Sequence, residues 1–215
     1  MSTPFASLAP RVLPLVPGCP FSLAQAALRD AAAEFCARTL VWREDLPANN
    51  LVAENPFYTL TPPAGARVVM VLSVLVQDRP LLAANDDLLD DQHPGWRALS
   101  PAEPTRYLLP RPGEIRLVPA PAHSSSGSLV AHVALAPAKD ATEADDALME
   151  TYDAAFVHGA LAELLGFTGL SWASPERSAH HARQFRAAIA DARALIAKGG
   201  TTLTLAARPR AFGGL

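Results

Sequence analysis

The stretch Pro17–Trp42, PGCPFSLAQAALRDAAAEFCARTLVW, decides how the rest of the chain is read. Its apolar residues Ala24, Leu28, Ala31, Phe35 and Trp42 recur at steps of three, four and seven, the spacing that stacks side chains on one face of an α-helix. Arg29, Asp30, Glu34 and Arg38 fall on other faces. Pro17, Gly18 and Pro20 punctuate the start, and Ser22 is placed to cap the first free N–H groups. The small alanines let a neighbouring element approach closely. A first helix over 21–42 is therefore expected.

Upstream, residues 1–20 contain five prolines, at 4, 10, 14, 17 and 20, which forbid one continuous helix. They read as an extended N-terminal arm whose Leu8, Val12, Leu13, Leu15 and Val16 dock on the body. Downstream, Pro47, Asn49 and Asn50 mark a turn-rich exit, and the composition changes to that of strands. Phe57–Thr61 is one strand, closed by Pro62-Pro63-Ala64-Gly65. Arg67–Val76 is the strongest strand in the chain, apolar from Val68 onward but for Ser73, so cover on both faces is expected. Gln77-Asp78-Arg79-Pro80 turns it into a return strand over 81–84. Asn85–Gly95 is an acidic loop or short helix. Strands follow at 106–109, 114–118 and 128–135, with His123–Gly127 as a hairpin tip. In the last of these, Leu129, Ala131, Val133 and Leu135 share one face. Residues 55–137 thus form a small antiparallel β-domain.

Helical periodicity returns over 141–165, where Leu148, Tyr152, Ala155, Phe156, Gly159 and Ala162 align and Gly166 suits the terminating position. Ser174-Pro175-Glu176 opens a last helix with stripe Ala182, Phe185, Ile189, Ala192 and Ile196, stopped by Gly199-Gly200. A short loop makes these two helices antiparallel neighbours. The expected fold is α+β: a three-helix bundle from residues 21–42 and 141–198, an inserted β-domain, and extended arms at 1–20 and 199–215.

Half of the 215 residues are hydrophobic, enough for a sizeable core. No apolar run approaches the roughly 18 residues of a membrane helix, and MSTPFASLAPRVLPL lacks the basic start and apolar core of a signal peptide. Cytoplasmic folding and free thiols at Cys19 and Cys36 are expected. The net charge is −3, unevenly spread: residues 174–215 carry +5, leaving −8 for the remainder. A basic end on an acidic body suits a charge-complementary neighbour, or simply a solvated helix face.

Asp86, Asp87, Asp90 and Asp91 are the densest carboxylates, and Asp86 and Asp90 share a helix face suited to a hard cation, but the EF-hand pattern is absent. His180 and His181 point apart on one helix, with His158 one helix earlier and no ligand set at zinc spacing. Ser124–Ser126 lacks the nucleophile elbow, and there is no phosphate-binding glycine loop. Trp96 and Trp172 read as packing anchors, and the last helix is not basic enough for a nucleic-acid face. No cofactor or metal is expected.

The order of several local patterns resembles the head-to-tail adaptor family of short-tailed bacteriophages. These are P-x-x-P-G-C-P over 14–20, A-L-R-D-A-A-x-E-F-C over 27–36 with Trp42, Tyr58-Thr59-Leu60, and the 68–76 strand. Next come Trp96, Pro104-x-x-Tyr107 and Ile115-Arg116-Leu117-Val118-Pro119-Ala120-Pro121. Tyr152-x-x-Ala155, Gly159-Ala160-Leu161 and Gly169-Leu170-Ser171-Trp172 complete the series, which spans residues 8–198. The resemblance implies a virion protein at the head-tail junction and no enzymatic activity. It implies a homo-oligomeric ring, commonly twelve copies, under the portal protein. That ring extends the channel for double-stranded DNA and offers a platform for the tail tube or nozzle. An acidic channel wall lets DNA slide without sticking. Arg208, Arg210 and Phe212 in the C-terminal arm are the expected portal contacts. Two competing readings are a small metal-dependent hydrolase or nuclease built on Asp86–Asp91, and a different neck protein such as a tail terminator.

Overall fold

The computed structural model describes residues 2–199. In chain order the first elements are β1 (Ser2–Pro4), α1 (Ala9–Val12), α2 (Phe21–Thr39), β2 (Arg43–Asp45), β3 (Asn49–Leu51) and β4 (Phe57–Thr59). There follow β5 (Ala66–Val76), β6 (Arg79–Pro80), β7 (Leu82–Ala83), α3 (Asp86–Gln92), β8 (Arg106–Arg111) and β9 (Glu114–Val118). The chain continues with β10 (Ser125–Pro137), β11 (Glu143–Asp145), α4 (Asp146–Gly166) and α5 (Pro175–Ala197). Helices and sheets are segregated along the chain, an α+β arrangement.

The predicted stripe on α2 is its buried face: Ala24, Leu28, Ala31 and Phe35 are all closed to solvent. The Phe35 ring lies 4.8 Å from Tyr152 and 5.6 Å from Phe156 on α4, and 6.2 Å from Phe185 on α5, centroid to centroid. One aromatic side chain therefore meets both later helices. Two details of α2 differ from expectation. Ser22 makes no capping hydrogen bond; the chain enters from an extended Pro20, whose carbonyl accepts from Leu23 and Ala24. The helix also ends before Trp42, because Leu40 turns left-handed (φ 57°). Trp42 is thereby freed to pack between the helical and β cores, and its carbonyl accepts from Leu135 N at 2.8 Å.

The N-terminal arm is not extended. After β1 the chain winds into 3-10 turns at Phe5–Leu8 and Leu13–Leu15 on either side of α1. Pro10 and Pro14 sit in the first turns of such segments, where a missing N–H costs nothing. Phe5, Leu8, Val12 and Val16 are buried in the helical core, whereas Leu15 faces solvent. β1 pairs antiparallel with β11, so residues 143–145, expected as helix, form a strand instead. α4 starts only at Asp146, capped by the Asp145 carboxylate through Ala147 N at 3.0 Å and Leu148 N at 3.3 Å. Gly166 is the last residue of α4, followed by an extended Phe167. Ser174 makes no side-chain cap on α5; Pro175 and Glu176 occupy the first turn as expected.

α4 and α5 are antiparallel. Ser174 N donates to Leu165 O at 2.9 Å, Ser178 Oγ donates to Ala162 O at 2.6 Å, and His158 meets His181. Gly159 is where three helices converge: a methyl group there would lie 2.7 Å from Ala31 Cβ and 3.0 Å from Phe185 Cε2.

The β region has two sheets, with strand orders β2-β10-β5-β6 (β3 also pairing with β10) and β4-β9-β8-β7. All pairs are antiparallel except β7 with β8. The return after β5 is shorter than expected. Gln77 and Asp78, both left-handed, make the hairpin turn, β6 lasts two residues, and the chain then crosses to the other sheet as β7. Residues 125–127 belong to β10 rather than to a hairpin tip. Leu129, Ala131, Val133 and Leu135 of β10 all enter the β core, while Ala136 enters the helical core. β5 serves both cores: Val68 and Val71 pack on the β cluster and Val69 on the helical one. That dual role explains its largely apolar sequence, broken after Arg67 only by Ser73. The cover is incomplete, however, because Met70 is 48% exposed.

Candidate functional site

The carboxylate cluster on α3 is occupied by the protein's own arginine. Arg97 Nη2 lies 3.1 Å from Asp86 Oδ1 and 3.3 Å from Asp90 Oδ2, and its Nη1 binds Asp90 Oδ1 as well. Trp96 Nε1 donates to Asp90 Oδ1 at 2.8 Å. The Arg97 guanidinium, followed by the Trp96 indole, holds the Asp90 carboxyl below its usual range. Arg97 and Arg116 lie against the Trp96 ring at 4.3 and 4.5 Å, and Arg116 also reaches Phe57 at 5.3 Å. Trp96 is buried with Leu89, Leu108 and Val118. The arrangement fastens α3 to the second sheet; it does not present an open cation site. Among the described residues, no group of three or more His, Cys, Asp or Glu side chains is placed to hold a metal ion.

The histidines are brought together more closely than their sequence positions predict. His158 Nδ1 and His181 Nδ1 are 2.8 Å apart across the α4–α5 interface, one donating and the other accepting. Burial lowers the pKa of both, and positive neighbours add to it: His180 and Arg11 for His158, and His158, His180 and Arg177 for His181. Cys19 and Cys36 are free and buried, and burial pushes the Cys36 thiol up to about 12. The serines tie their segment to residues 50–53: Ser124 Oγ accepts from Ala53 N at 2.9 Å and Ser126 Oγ donates to Asn50 Oδ1 at 3.2 Å. Trp172 is a packing anchor whose Nε1 donates to Leu164 O at 3.2 Å.

The remaining candidates are surfaces. Arg177, Arg183, Arg186 and Arg193 of α5 are all exposed, as are Glu176 and Asp191 on the same helix. Arg208, Arg210 and Phe212 lie outside the described residues. The sequence did not single out Arg97 and Arg116, whose role depends on Trp96 lying within reach of both. Nor did it reveal that Met70, within the largely apolar run of β5, is exposed.

The described residues thus form an α+β body with a helical core, a β core and exposed charged and apolar residues. The chain belongs to the SU10 adaptor protein family, whose model matches residues 3–210, and so to the phage head-tail adaptors. No curated protein matches it. Among the described residues no helix is long and apolar enough to cross a membrane.

Proposed function

We propose that this chain is the repeating wedge of an adaptor ring at the head-tail junction. About twelve copies close the ring under the portal, continue the DNA channel without sequence-specific binding, and present the opposite rim to the tail tube or nozzle. The observation that carries the reading is the family match across residues 3–210. The charge distribution supports it: residues 174–215 carry +5 and the remainder −8, which gives each copy oppositely charged parts for contact with a neighbour. In this reading residues 21–42 and 141–198 act as one three-helix unit, and residues 55–137 as an inserted β unit. The arm over 199–215 reaches the portal through Arg208, Arg210 and Phe212. The pairing of Asp86 and Asp90 with Arg97 gives the hydrolase or nuclease reading no support.

The test is electron microscopy of the protein mixed with portal, for the full chain and for a chain ending at 199. The full chain gives rings stacked on portal, and the truncated chain stays folded but does not dock. Undiminished docking by the truncated chain removes the arm from the account.

A further inference from the structure

Two strand edges border one cavity in the β region. β5 is paired along its length with β10, but on its other side β6 engages only Leu75 and Val76, with one more bond from Leu81 N to Val74 O. Residues 66–73 therefore have no strand on that side among the described residues. β8 is similar. β7 pairs with Arg106 and Tyr107 only, so Leu108–Arg111 have a strand partner in β9 alone. Val68–Val71 from one edge and Leu109–Gly113 from the other line a cavity of about 320 Å³. Its rim is apolar: Met70 is 48% and Leu109 46% exposed. A long apolar strand with an open edge is a template for another strand, and proteins normally blunt or cover such edges.

The chain itself contains a fitting occupant beyond Gly199. Thr201-Thr202-Leu203-Thr204-Leu205 has strand composition and alternates from Thr202, a pattern that in a strand would put Leu203 and Leu205 on one face and Thr202 and Thr204 on the other. Gly199-Gly200 before it and Pro209 after it limit the segment to one short strand, as does the length of the free β5 edge. The direction of α5 favours a different copy as donor. Because α4 and α5 are antiparallel, the last turn of α5 runs toward the first turn of α4. Asp145, Ala147 and Leu148 at that end share a cavity with Val41–Arg43, which lead into β2. β2 is on the opposite side of β10 from β5.

We propose that in the assembled ring the Thr201–Leu205 segment of one copy adds as a strand to the β5 edge of the next, with its leucines in the cavity beside Met70 and Leu109. The proposal rests on the ring reading and names how one wedge is fastened to its neighbour. Backbone hydrogen bonds supply the attraction and the two leucines set the register, as in strand addition generally. The contact is heterologous, so it repeats around the ring and closes with it.

The test places Cys at Met70 and, in three separate full-length variants, at Thr202, Leu203 or Thr204, covering both faces of the added strand. The variants are assembled with portal-bearing heads, oxidised, and run on a denaturing gel without reductant beside Met70→Cys alone. The expected result is a ladder of covalent multimers from at least one pair, collapsing on reduction and absent from the single-Cys control. A cross-linked monomer without multimers overturns exchange between copies. No cross-link in particles that microscopy shows to be rings overturns strand addition while leaving the ring intact. Absence of rings from the unmodified chain overturns the ring reading, and this inference with it.

Discussion

Replacing Gly159 by Ala sets two effects of known sign against each other. On a free helix the change is favourable, by about 1 kcal/mol of intrinsic propensity. Here the new methyl would sit 2.7 Å from Ala31 Cβ and 3.0 Å from Phe185 Cε2. Carbon atoms pack best at about 3.5–4.0 Å, so α2 and α4 must part by about 1 Å at this crossing. Ala31 has no rotamer by which to yield, and Phe185 is held by Phe35. Overpacking of this kind costs about 1–3 kcal/mol, and two contacts this close place the site in the upper half of that range, about 2–3 kcal/mol, so after the propensity gain a net loss of about 1–2 kcal/mol is expected. For a chain of 215 residues that lowers Tm by about 2–8 °C. The assay is thermal unfolding followed by circular dichroism. Adding Ala31→Gly to Gly159→Ala removes the opposing methyl and should restore part of the lost Tm, although Ala31→Gly alone destabilises. An unchanged or raised Tm for Gly159→Ala, or simple additivity in the double variant, refutes the argument that this close approach sets the helix spacing.

Other expectations are independent of that crossing. The lowered pKa values of His158 and His181 mean that the folded chain binds fewer protons than the unfolded chain just below pH about 6.5, so stability falls as pH drops through that value toward their folded pKa values. Tm measured against pH should show this fall, and His181→Asn, which keeps a polar group near Nδ1 without the titration, should flatten it; a wild-type profile in the variant would contradict the pairing. Asp90 is depressed by Arg97 and Trp96, so its contribution is present above the unfolded value of about 3.9 and is lost as pH falls through the lower folded pKa. NMR titration should find Asp90 below a normal aspartate and Arg97→Ala should move it up; no movement would mean that the ion pair does not hold in solution. Cys36, fully buried with its pKa at about 12, should resist thiol reagents at neutral pH until the chain is unfolded. Prompt labelling of the folded protein at that position would show that the α2 face is not closed as described.

What the sequence disclosed was the periodic part. Leu28 and Phe35 announce the buried face of α2, and Phe185, Ile189 and Ala192 that of α5, because a 3.6-residue repeat survives in the order of residues. The alternation of Leu129, Ala131, Val133 and Leu135 did the same for β10. What it concealed depends on contacts between distant residues. Ser2–Pro4 has no strand signal of its own and is a strand only because Glu143–Asp145 lies beside it. The same pairing shortened α4 at its start. The prolines at 10 and 14 read as breakers of structure, yet each opens a short helical turn, since proline is forbidden inside a helix but not at its beginning. The aspartates of α3 looked available to a cation until Arg97, seven residues past Asp90, folded back over them. The family resemblance was legible in the order of the motifs, and the match over residues 3–210 agrees with it.

The most direct measurement is the mass and shape of the assembled protein, by native mass spectrometry and electron microscopy of the same sample with portal present. A closed annulus with an open axial channel, seated on portal, is expected, adding about 270 kDa to the portal's own mass for twelve copies of the 22.7 kDa chain. Particles that remain single 22.7 kDa bodies beside unoccupied portal would contradict the account.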